Sequence, residues 1–77
     1  MNNFVLTFNT QLDAIITKRF CEKTNINCKL APVPRCLSSS CGTCAFVKTE
    51  NIDLLSSLEI EDIYFDENGE YIKYERS

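Results

Sequence analysis

The chain has no histidine and no tryptophan, and only two glycines, two prolines and one methionine. Without histidine, mixed Cys/His zinc sets and Cys–His nucleophilic pairs are excluded. Any general base must be a carboxylate, a lysine or a thiolate. No apolar run is long enough for a membrane-spanning helix. The opening Met1-Asn2-Asn3-Phe4 carries no basic segment of the secretory type. These absences lead us to expect a cytoplasmic protein with no membrane partner. The formal net charge is −3, and basic residues are not interleaved with aromatics, so no nucleic-acid partner is expected. Seventy-seven residues suffice for one small domain, 1–77, with a limited core.

Cysteine, by contrast, is plentiful: five in 77 residues. In a reducing compartment that number points to thiol chemistry or metal binding rather than a disulfide scaffold, and an odd count leaves one thiol over after any full pairing. Charge is segregated along the chain. Before Thr49 the bases Lys18, Arg19, Lys23, Lys29, Arg35 and Lys48 face only Asp13 and Glu22. From Thr49 onward nine acids face Lys73 and Arg76. Such a distribution suits solvated faces, and it also suits a surface that steers a partner to one end.

Phe4-Val5-Leu6-Thr7-Phe8 is apolar and aromatic and predicts a buried strand. Thr10, with Asp13 three residues on, predicts a helix start. Leu12, Ile16 and Phe20 recur at one-turn spacing with Ile15 beside them, which predicts that this is the helix's core face. Thr24-Asn25-Ile26-Asn27 ends the helix, since asparagine tolerates the left-handed stop. Cys28-Lys29-Leu30-Ala31 reads as a second strand, on an edge because Pro32 and Pro34 cannot donate to a ladder. Cys21 and Cys28 read as packing residues. Cys44 through Lys48 predicts a third strand, Ile52 to Leu58 a short second helix, and Ile60 to Phe65 a fourth strand. Asn68-Gly69 then turns the chain into a last edge strand at Tyr71–Tyr74. The expected fold is α+β, a two-layer ferredoxin-like sandwich with an added C-terminal hairpin strand.

That topology has a consequence for the stretch Pro34-Arg35-Cys36-Leu37-Ser38-Ser39-Ser40-Cys41-Gly42-Thr43-Cys44. A right-handed crossover makes the first two strands parallel, so this loop should return beside the start of the first helix. Unpaired N–H groups at Asn9, Thr10 and Gln11, and the charge of Arg35, would favour an anionic sulfur there. Cys41 is accordingly expected to be the most reactive thiol. The spacing leaves several chemistries open. Cys41-Gly42-Thr43-Cys44 is a Cys-x-x-Cys, which allows a thiol–disulfide switch with Cys44 or Cys36 as resolving thiol. Cys36, Cys41 and Cys44 also have the spacing of plant-type [2Fe–2S] ligands, with Cys28 or Cys21 needed as the fourth. A thiolate zinc site or a pure interaction module completes the alternatives.

Pro32-Val33-Pro34-Arg35-Cys36-Leu37-Ser38-Ser39-Ser40-Cys41-Gly42 resembles the signature of a family of small bacterial domains described as selenium/sulfur carrier protein-like. The likeness extends from Phe4 to about Tyr64. It implies that Cys41 is the cargo-carrying cysteine, with Arg35, Ser39, Ser40 and Gly42 at the family's other motif positions. Cys36 and Cys44 depart from the pattern, which usually has a polar and a small residue there. The resemblance implies a carrier of persulfide sulfur or its selenium analogue, served by donor and acceptor proteins. It implies neither a cofactor nor a stand-alone enzyme.

Overall fold

The structure, a computed structural model, describes residues 2–37 and 39–74. Its elements are β1 (Asn2–Thr7), α1 (Gln11–Lys23), β2 (Asn27–Pro32), β3 (Thr43–Thr49), a 3-10 turn (Ile52–Leu55), β4 (Asp62–Glu67) and β5 (Glu70–Lys73). The five strands form one sheet in the order β2-β3-β1-β4-β5, every neighbouring pair antiparallel. Since β1 and β2 each run opposite to β3, they run in the same direction with β3 between them. The exit of β2 therefore lies at the same end of the sheet as the exit of β1. The loop after β2 returns beside the start of α1.

Alternation along the strands decides the two faces. Phe4 pairs with Val47 and Phe65, and Leu6 with Ala45 and Ile63, so these side chains share one face. Together with Phe8, Cys28, Ile52, Leu55 and Ile60 they form the core beneath α1. Val5, Thr7 and Cys44 lie on the other face and are fully covered. Phe4, Phe65 and Tyr74 pack with ring centroids 5.1 to 6.0 Å apart and close the core at the β4 side. Tyr74 meets both phenylalanines edge to face, which adds to the apolar burial.

The helix buries a different face from the one its large side chains suggest. Ala14, Thr17 and Cys21 point inward, whereas Leu12, Ile15 and Ile16 are 63%, 43% and 45% exposed and Phe20 is half-buried. The sheet supplies the reason. Phe4, Leu6, Phe8 and Val47 already fill the space, so the helix approaches through its small residues. Thr10 Oγ1 accepts from the Asp13 N–H at 3.2 Å and caps the start. At the other end Asn25 takes φ +59° and the Ile26 N–H reaches the Cys21 carbonyl at 2.8 Å, a left-handed stop.

The expected second helix is a single 3-10 turn of four residues. Nucleating a longer helix in so short a segment is unfavourable, and burying Ile52 and Leu55, one 3-10 turn apart, already satisfies the core. The fourth strand begins at Asp62 rather than Ile60, and just beyond the last pair of the β1–β4 ladder the Glu61 N–H bonds the Thr7 carbonyl at 2.8 Å. Asn68 and Gly69 take φ +55° and +86° in the two-residue connection of β4 to β5. Among the described residues no helix is long and apolar enough to cross a membrane.

Candidate functional site

Residues 33–42 join β2 to β3 across the end of the sheet where α1 begins. The Val33 N–H donates to the Gly42 carbonyl at 3.2 Å and prolongs the β2–β3 ladder into the loop. Gly42 has φ +73° with open space where a Cβ would stand, so glycine is required there by the backbone angle and not by crowding. That turn sets the direction from which Cys41 meets the core.

Cys41 is half-buried and packs against the core cluster. Its Sγ–H donates to the Thr43 carbonyl at 3.5 Å, and Ser39 Oγ stands 3.9 Å from the sulfur. Ser39 Oγ also accepts the Cys41 N–H at 3.4 Å and donates to the Phe8 carbonyl at 2.9 Å, anchoring the loop to the end of β1. The thiol thus has two distinct neighbours. A protonated sulfur is suited to Thr43. An anionic sulfur would need the Ser39 hydroxyl to turn from Phe8 toward it.

Gln11, in the first turn of α1, donates from Nε2 to the Cys41 carbonyl at 3.2 Å and to Thr43 Oγ1 at 2.9 Å. Ser40 Oγ donates to Glu61 Oε2 at 2.8 Å, tying the loop to the chain just before β4. Glu61 Oε1 is buried without a hydrogen-bond partner among the described residues. Neither Gln11 as a side-chain clamp nor Glu61 was legible in the loop motif. Glu61 lies 20 residues downstream of Cys41, with no local pattern to flag it.

The remaining site candidates sit elsewhere. Arg35 and Cys36 occupy an exposed turn closed by the Leu37 N–H on the Pro34 carbonyl at 3.0 Å, and among the described residues no hydrogen bond or ion pair engages the Arg35 guanidinium. The phenol of Tyr71 is pushed up by partial burial and then by Asp66, Cys36 and Cys44. Cys44 is fully buried on the sheet face opposite the α1 core, and its Sγ–H donates to the Pro32 carbonyl at 3.6 Å. Burial, followed by the charge of Cys41, pushes its thiol up to about 11. Cys21 and Cys28 face each other between α1 and β2. Burial first, then Cys28, pushes Cys21 up to about 12, and burial raises Cys28 as well. Lys18 Nζ donates to the Cys28 carbonyl at 2.6 Å nearby. All five cysteines are free thiols. Among the described residues no three Cys, Asp or Glu side chains converge as metal ligands. Ser38 lies outside the described residues.

What the arrangement offers chemically is one thiol at the rim of the core, held by hydroxyl, amide and carbonyl groups on a glycine turn. A family model described as "Putative Se/S carrier protein-like" matches residues 3–72. No curated protein and no solved structure gives a match.

Proposed function

Since the chain belongs to the family described as "Putative Se/S carrier protein-like", we propose that it carries sulfur or selenium as a persulfide, or its selenium analogue, on Cys41. The observation that carries this reading is the position of Cys41: half-buried, with its sulfur 3.9 Å from Ser39 Oγ and its carbonyl held by Gln11. In the loading step the Cys41 thiolate attacks the outer sulfur of a persulfide donor, R–S–SH. The new Cys41 S–S bond forms as the donor's S–S bond breaks, and R–S⁻ leaves and takes up the proton the thiolate lost. No electrons are gained or lost overall. Ser39 Oγ, 3.9 Å from the sulfur, is a donor within reach of the extra charge. Unloading is the same exchange run onto the thiol of an acceptor protein. Cys44, buried and raised to about 11, is a poor internal resolving thiol, which leaves that role to exposed Cys36 or to the acceptor.

A reducing, cytoplasmic setting suits five free thiols. The sheet order with one crossover helix is read as a ferredoxin-like sandwich whose second helix has shortened to a turn. The test is direct. Reduced protein is treated with glutathione persulfide and its intact mass recorded. In a Cys36→Ser background, which removes the other accessible thiol, the protein is expected to gain one sulfur, and with Cys41→Ala added it is not; equal gain by both removes Cys41 from the proposal.

A further inference from the structure

The outer face of α1 is apolar where most small domains are polar. Leu12 and Ile16 lie one turn apart with Ile15 beside them, and all three are exposed. Arg19 and Lys23 continue the same stripe toward the helix end, also exposed. Elsewhere in the layer that covers the core stands the 3-10 turn, whose Ile52 and Leu55 are buried beneath it. It presents the opposite pattern. Leu54 is 54% exposed, with Glu50, Asp53 and Glu59 exposed within five residues of it along the chain. Lys48 shares the shallow cleft lined by Glu50 and Leu54, and the next base along the chain is Lys73. Among the described residues the single ion pair is Lys73–Asp62, at 3.4 Å, so within that set Arg19, Lys23, Glu50, Asp53 and Glu59 form no ion pair.

We infer that this layer is a self-association surface, with α1 of one copy docking on the 3-10 turn of a second copy of this chain. The apolar stripe of α1 meets Leu54, and Arg19 and Lys23 meet the carboxylates around it. Both halves lie in one layer of each chain, so a two-fold axis makes the contact twice and closes the assembly as a dimer rather than a filament. A standard interface covers about 800 Å² on each partner, about a sixth of the 5008 Å² that one chain exposes. An apolar centre with an opposite-charge border is the anatomy of such contacts. The surface adjoins the Cys41 loop through Gln11, but the inference does not depend on what Cys41 carries.

Sedimentation equilibrium on reduced Cys36→Ser protein, at concentrations up to about 1 mM and at low and high salt, tests it without interference from disulfide dimers. The expected result is a dimer that weakens as salt screens the border. Ile16→Lys should be monomeric with an unchanged circular dichroism spectrum. Arg19→Glu with Lys23→Glu, and Glu50→Lys with Asp53→Lys, should each raise the dissociation constant at least about tenfold, and an equimolar mixture of the two variants should associate more tightly than either alone. A wild type monomeric throughout overturns the inference. So does a dimer indifferent to Ile16→Lys, or a mixture no tighter than its components.

Discussion

Cys36 stands exposed and Cys41 half-buried, while Cys21, Cys28 and Cys44 are sealed in the interior. The interior thiols are held protonated by burial, and it is the thiolate that reacts. Brief iodoacetamide labelling of the native protein near neutral pH, read by peptide mass, should therefore modify Cys41 and Cys36 and leave the other three intact until denaturant is added. Labelling of Cys44 ahead of Cys41 would contradict the buried placement of Cys44. Gly42 carries a second residue-scale expectation. A Cβ there meets no atom within 4 Å, so Gly42→Ala bears only the cost of φ +73° in an L-residue. That cost is about 1–2 kcal/mol, to be read from the urea midpoint. A loss well beyond it would mean that the loop is packed more tightly than its open surroundings indicate.

At the scale of elements, α1 is the instructive case. Its small residues face the sheet and its large aliphatics face out. Ala14→Leu should overpack the contact and cost about 1–3 kcal/mol. Ile16→Gln, on the exposed stripe, should change the stability of the isolated chain by no more than about 0.5 kcal/mol. Chemical denaturation at low protein concentration compares the two, and the reverse order would restore the face that spacing alone suggests. The loop between β2 and β3 is likewise held by its neighbours: Gln11 from the helix, Phe8 after β1, and Glu61 before β4.

For the whole molecule, three buried thiols couple folding to alkaline pH. Cys21 rises from an ordinary 9.0 to about 12 and Cys44 to about 11, and Cys28 moves the same way, burial leading in each. The unfolded chain gives up these protons near pH 9.0 while the folded chain keeps them. Their contribution is thus fully present below about pH 9 and is lost as pH climbs through the folded values. Thermal melts should show Tm falling steadily above that point. Cys21→Ala should lower Tm at neutral pH through lost packing, yet flatten the alkaline decline. An undiminished slope in that variant would assign the decline to other groups.

Local signals in the sequence determined much of this. The short apolar and aromatic run Phe4 to Phe8 marks a buried strand. Thr10 with Asp13 starts the helix, the asparagine-bearing stretch from Thr24 to Asn27 stops it, and Asn68-Gly69 can turn a hairpin because both tolerate positive φ. A helical crossover between parallel strands brings the serine and cysteine loop to the start of α1. Tertiary structure decided the rest, because each of those outcomes depends on what lies across space. Which helix face is buried was settled by the volume of Phe4, Leu6, Phe8 and Val47 on the sheet, not by the helix's own periodicity. Whether residues 52–58 form a helix or a turn was settled by how little burial Ile52 and Leu55 needed. Which cysteines lie open or sealed, and that Glu61 holds Ser40, follow from a chain path that puts residues about twenty positions apart in contact.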